Sequence, residues 1–176
     1  MGKPGRARPL LRPSRYVLVV PDAPQTAVEI ATAVRAGQWS ARQAVEAALQ
    51  RIEAVDPRVN AWQHVRVFDA LHEADAIDAH PDRATLPLAG VPVAIKDLVL
   101  TKGIRTTFGS NLYADYVPDA DDIVVERLRA ADAIILGKTN VSEFGFGAHG
   151  NNLLNQATTN PRYTQPLHGG PPILYT

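Results

Sequence analysis

An α/β fold is what this 176-residue sequence predicts: N-terminal helices followed by strand–helix–strand units of a mixed sheet. Three observations carry that prediction. Two capped amphipathic segments open the folded part, and two apolar runs, VPVAI at 91–95 and AIILG at 133–137, have the length of strands. An acid-led helical segment lies between the runs, and strand, helix, strand in that order implies a crossover with parallel pairing.

The elements come in order. Thr26 and Ser40 each stand three residues before a Glu or Gln, Glu29 and Gln43, which is the capping-box pattern. Gly37 stops the first helix and Asp56-Pro57 the second. Val45, Ala48, Leu49 and Ile52 form an i, i+3, i+4, i+7 stripe, so one face of the second helix is buried. A third helix is expected over 68–79. His72 and His80 beside it read as solvated helix-end residues, because no second ligand pair stands at zinc spacing. VPVAI, bounded by Gly90 and Asp97, suits a buried strand. DADDIVVERLRAAD, 119–132, places its acids in the first helical turn, where the dipole favours them, with Ile123, Val124 and Leu128 on one face. After Asn140 the texture becomes Gly, Asn, Thr and Pro, a long loop.

Composition narrows the function. With 45% apolar and 20% charged residues the chain is globular. Zero net charge gives no pull toward nucleic acid or a membrane surface, so neither is expected as a partner. There is no cysteine, which excludes disulfides, thiol nucleophiles and thiolate zinc sites, and fits a cytoplasmic setting. Residues 1–22 carry Lys3, Arg6, Arg8, Arg12 and Arg15 ahead of the first acid, Asp22, and read as a flexible basic tail. The apolar run at 16–20 is too short for a signal core or a membrane span, and Pro4, Pro9 and Pro13 oppose an amphipathic transit helix.

Three familiar motifs fail on their surroundings. Val-Ala-Ile-Lys at 93–96 has the letters of a kinase strand lysine, but no glycine-rich loop precedes it and neither downstream kinase motif exists. Gly-Lys-Thr at 137–139 would need a glycine at 132 to form a P-loop. That residue is Asp132, and Ala-Ile-Ile-Leu between them is a strand. GFGAHG at 145–150 matches G-x-G-x-x-G, yet the NNLLNQATTNP after it does not open a helix, so it reads as a turn.

LAGVPVAIKDLVLTKGIRTTFGS at 88–110, YVPDADDIVVERLRAADAIILGKTNVSEF at 116–144, an Asn-Pro at 160–161 and the His-Gly-Gly at 168–170 together resemble the N-terminal portion of the amidase signature family. The likeness reaches back through 41–62, so residues 23–170 are expected to form the N-terminal part of such a domain. It implies a hydrolase or acyl-transfer enzyme acting on carboxylic amides without a cofactor, with a small-molecule amide as substrate. In that family a Ser–cis-Ser–Lys triad does the chemistry, and Lys96 matches its lysine. Such a lysine accepts a proton only when neutral, a state favoured by burial in an apolar strand. It would deprotonate a serine held in a cis peptide, which relays the proton from the nucleophilic serine. The resemblance also implies that Gly145 and Phe146 contribute to an acyl-binding pocket.

The likeness ends at Gly170. Where the family continues Ser-Ser-Gly-Gly, this chain reads Pro171-Pro172-Ile173-Leu174-Tyr175-Thr176. Pro171 matches the cis serine and has no hydroxyl, and no residue matches the nucleophile. Residues 171–176 are therefore a divergent end, as from a frameshift or a truncated gene, and the chain is expected to lack amidase activity. Of the other serines, Ser40 is a helix cap, Ser110 lacks an identifiable base-orienting partner, and Ser142 beside Glu143 reads as a cap. The alternative is a non-catalytic, partner-binding product, self-associating through open sheet edges. Aliphatic amide, aryl amide, ureide and aminoacyl-tRNA all stay open as substrates.

Overall fold

The computed structural model describes residues 26–160. The basic segment at 1–22 and the divergent end at 171–176 lie outside the described residues.

Both capping boxes form. Thr26 Oγ1 accepts from the Glu29 N–H at 3.2 Å and the Glu29 carboxylate from the Thr26 N–H at 2.9 Å, opening α1, Ala27–Arg35. Ser40 and Gln43 do the same for α2, Ala41–Val59. The Ala41 and Arg42 N–H groups also donate to the Asp78 carboxylate, at 2.7 and 3.0 Å, so an acid from a neighbouring helix satisfies the positive end of α2. The expected stop at Asp56-Pro57 is displaced. Proline removes one donor, that of its own residue, and the exposed Pro57 sits inside α2. The helix ends at Asn60, which takes the left-handed conformation at φ 55°.

A strand the sequence reading does not anticipate comes next: β1, Trp62–Val65. Then come α3, Val67–Asp78; β2, Pro92–Lys96; α4, Ile123–Ala130; and β3, Ile134–Thr139. Sheet order is β1-β3-β2, with β2 parallel to β3 as the crossover argument requires and β1 antiparallel to it. The apolar run 133–137 therefore lies in the middle strand and has no open edge. Among the described residues the outer edges belong to β1 and β2. Gly137, at φ 153°, pairs with Val65 of β1 and lies at the register shift between β3 and β2, where Val93 faces Ile135 and Ala94 faces Gly137; a Cβ there would meet the His64 carbonyl oxygen.

Each face of the sheet carries a buried cluster. Val34, Val45, Ala70 and Ala74 from α1, α2 and α3 pack with Ile134 and Leu136 on one side. Ile95, Ile135, Ile104 and Val125 pack on the other. The buried face of α4 is Val125 with Leu128, not the expected Ile123 and Val124, which are 64% and 49% exposed. The helix is only two turns long, and residues 125 and 128, three apart, are the pair that can face the sheet together.

The segment after Asn140 is mostly loop, but it contains a 3₁₀ turn at Glu143–Gly145 and a hairpin of β4, Asn151–Asn152, with β5, Gln156–Ala157. Asn140 anchors it by donating to the carbonyls of Gly150 and Gln156 and to the Thr158 hydroxyl. No helix among the described residues is long and apolar enough to cross a membrane.

Candidate active site

Lys96 is the last residue of β2. Strand alternation sets Ala94 and Lys96 on one side and Ile95 and Asp97 on the other. Ile95 is 5% exposed and Asp97 fully buried, whereas Ala94 and Lys96 are exposed. The burial expected of Lys96 in the sequence reading is not found. In place of an amine shielded by an apolar strand, β2 is an outer strand, and nothing among the described residues covers the Lys96 side of its end. The Lys96 amine makes no hydrogen bond among the described residues.

The buried lysine is Lys138, in β3. Burial pushes its pKa from 10.5 down to about 8, against the attraction of Asp97 and, more weakly, Asp122 and Asp121. Its three N–H groups find three acceptors: the Val99 carbonyl at 2.6 Å, Thr106 Oγ1 at 2.7 Å and Thr101 Oγ1 at 3.1 Å. Asp97 Oδ1 lies 3.6 Å from the ammonium and accepts no hydrogen bond, so that contact is an ion pair only. The other oxygen, Oδ2, accepts from the Thr107 N–H at 3.0 Å and from the Thr107 hydroxyl. Asp97 is thus fully buried, held through Oδ2 by Thr107 and turned away from the Lys96 side, which leaves it unfit to act as a base there.

Sequence reasoning misses Lys138 because Gly-Lys-Thr, once rejected as a phosphate loop, reads as plain strand. The usable signal is a lysine directly continuing an apolar run and its glycine. In a middle strand such a lysine must bring its own acceptors, and the threonines of TKGIRTTFGS at 101–110 supply two of them.

Three backbone contacts fasten the surroundings of Lys96. The Val99 N–H donates to the Lys96 carbonyl at 3.0 Å, closing a turn just past the strand. The Phe108 N–H donates to the Asp97 carbonyl at 3.0 Å, and the Phe144 N–H to the Phe108 carbonyl at 2.7 Å. The β2 end, the 101–110 loop and the 3₁₀ turn are therefore tied in series. Phe108 and Phe144 have φ of 53° and 49°, uncommon for bulky side chains and a sign of imposed geometry. Their rings stack at 6.4 Å, joined edge-on by Tyr113 at 5.1 and 5.9 Å, an aromatic group that the sequence reading does not foresee.

Of the residues expected in an acyl pocket, Gly145 lies against Leu98, since a Cβ on it would come within 2.8 Å of the Leu98 side chain. This brings it to the β2 end. Phe146 beside it is 91% exposed. Ser110 is buried and donates to Glu143 Oε1 at 2.7 Å while capping the 3₁₀ turn Asn111–Tyr113, so its hydroxyl is committed to structure. Ser142 precedes a 3₁₀ turn without making the cap bond expected of it; its hydroxyl donates to the Gly147 carbonyl at 3.3 Å. GFGAHG opens no helix, as expected. No cluster of potential metal ligands occurs among the described residues.

This chain is similar to known proteins in sequence and in fold. Residues 43–171 match the family model described as Amidase. The chain is 45% identical over 147 residues to the glutamyl-tRNA(Gln) amidotransferase A-subunit from Streptomyces coelicolor, covering 82% of this chain and 30% of that protein. The same-named protein of Oleidesulfovibrio alaskensis is 42% identical over 146 residues, covering 83% of this chain and 30% of that protein. Among solved structures, the native peptide amidase of Stenotrophomonas maltophilia superposes with a TM-score of 0.72 at 33% identity, covering 81% of this chain and 31% of that one. The chain spans about 30% of the length of the relatives it matches. With a family match over 129 residues and this superposition on a solved amidase, the chain belongs to the amidase family.

Proposed function

We propose that this chain carries the lysine-bearing portion of an amide-processing centre, in which Lys96 takes the proton relayed from a serine nucleophile. The observation behind this reading is the placement of Lys96: exposed at the end of β2, on the side away from Asp97, with Gly145 packed against Leu98 two residues further on. In a complete centre the nucleophile attacks the amide carbon, the amine leaves with the relayed proton, and water or another acceptor releases the acyl group. Gly145 and Phe146 line the acyl side, and no cofactor takes part.

The 176-residue chain places Pro171 where the cis serine belongs, and proline cannot relay a proton. It is therefore expected to show no amide turnover by itself. The test is ammonia or amine release from small aliphatic and aromatic amides by the purified chain. Turnover that disappears in Lys96→Ala would overturn the expectation of inactivity.

A second reading, a partner-binding product, draws on the uncovered surface. A groove of about 360 Å³ runs between α2 and the sheet, lined by Val55, Val59, Trp62, Pro92, Ala94 and Leu136. Phe68, Leu112, Phe146 and Leu153 are all more than four-fifths exposed. Self-association through the outer edge of β2 is the form of this reading that the sheet order favours. The cysteine-free composition suits a cytoplasmic setting.

A further inference from the structure

We propose that Lys138 is a positioning residue for the Lys96 end of β2, holding the turn after Lys96 in the one geometry that presents its amine on the open side. This rests on the reading of Lys96 given above. Nothing about Lys96 itself requires a second lysine behind the sheet, yet the connections run directly from one to the other.

Lys138 donates to the Val99 carbonyl, and Val99 in turn donates its N–H to the Lys96 carbonyl. Within the parallel pair, Lys138 is the register partner of Ile95, and Thr139 that of Lys96. The Asp97 N–H continues the ladder to the Thr139 carbonyl at 3.0 Å, while the Asp97 side chain faces the Lys138 ammonium. Asp97 and Val99, on either side of Leu98, are thus both held by Lys138, one through its charge and one through its carbonyl. Thr101 and Thr106, whose hydroxyls accept from the same amine, hold the far part of the loop. Thr107 passes the constraint on, because its hydroxyl also accepts from the Gly109 N–H at 3.1 Å.

The arrangement is costly to break on one side only. Without the ammonium, Asp97 Oδ1 would be a buried carboxylate oxygen with neither a hydrogen bond nor a counter-charge. The Thr101 and Thr106 hydroxyl oxygens would also lose the donor they share, and the Val99 carbonyl would keep only the Thr101 hydroxyl, at 3.1 Å. Asp97, Asp121 and Asp122 are the charged groups that act on the amine, all acidic, so no neighbouring cation can replace it.

The experiment uses the 176-residue chain, isotope-labelled, in three forms: wild type, Lys138→Met, and Val34→Ala as a control in the core on the opposite side of the sheet. Amide exchange is read at Val99 and Phe108, and the side-chain resonance of Lys96 is followed at its Cε. In Lys138→Met both amides should exchange about ten- to a hundredfold faster, the effect of losing a hydrogen bond to a charged group, and the Lys96 resonance should move. The Val34 variant should speed exchange without moving that resonance. Equal behaviour of the two variants, with Lys96 unmoved, would overturn the proposal.

Should Lys138→Met fail to fold, the wild type alone decides. Titrating it upward from neutral pH, the Lys138 amine should release its proton, and the amides of Asp97, Val99 and Phe108 and the Lys96 Cε should shift with that same midpoint. Shifts confined to Lys138 would overturn the proposal. Neither readout involves amide turnover, so a failure here is separate from a failure of the catalytic role given to Lys96.

Discussion

Removing the charge pair between β3 and the 97–107 loop should abolish a pH dependence of stability. In the fold, Lys138 titrates near pH 8 against an ordinary value of 10.5, because burial penalises the ammonium more than Asp97 repays. Between those two values the unfolded chain still holds the proton that the folded chain has given up, so raising the pH favours the fold. Below about pH 8 both states hold it and the penalty is felt in full. The gap corresponds to about 3 kcal/mol, and full burial of the side chain means that solvent screening does little to reduce it. The reference is the double variant Asp97→Asn with Lys138→Met, which keeps the volume and removes both charges. Urea unfolding of each protein at a series of pH values from about 7 to 10.5 gives the difference in stability. That difference should move in favour of the wild type by up to about 3 kcal/mol across the range. A flat difference, or one that moves toward the variant, would refute the assignment of Lys138 as a desolvated ammonium.

Other consequences come from packing and from the open edge. Gly137→Val places a side chain against the His64 carbonyl, and should destabilise the chain by about 3 kcal/mol or more, seen as loss of a cooperative melt. Ser40→Ala removes one half of the α2 capping box and should cost about 1 kcal/mol by urea titration. Sedimentation should show concentration-dependent association, reduced when Ala94→Lys puts a charge at an exposed position of the outer strand β2; a sharp monomer at all concentrations would contradict the open-edge reading.

The helices and the parallel pair were legible because local chemistry dictates them. Thr26 with Glu29 and Ser40 with Gln43 form caps within four residues, and an apolar run flanked by Gly90 and Asp97 has few structural options. β1 was not legible, since WQHV has no alternation strong enough to stand out and becomes a strand only by pairing with β3 across more than seventy residues. Asp56-Pro57 misled because proline's missing donor matters less on an exposed helical turn than the left-handed Asn60 beyond it. At the candidate site, neighbouring motifs single out Lys96, and strand alternation gives its facing opposite Ile95. Its exposure was not legible, because burial at a strand end depends on what lies over the sheet rather than on the strand. Lys138 was hidden for the converse reason: its three acceptors come from a loop more than thirty residues earlier.

Whether Lys96 handles the proton in amide cleavage is decided by a chimera in which residues 27–160 of this chain replace the matching part of the Stenotrophomonas maltophilia peptide amidase, with a cooperative melt as proof of folding. With Lys96 in that role, the chimera turns over peptide amides and Lys96→Ala abolishes turnover while leaving the melt unchanged. A folded Lys96→Ala chimera that still releases ammonia at the parent chimera's rate would contradict it.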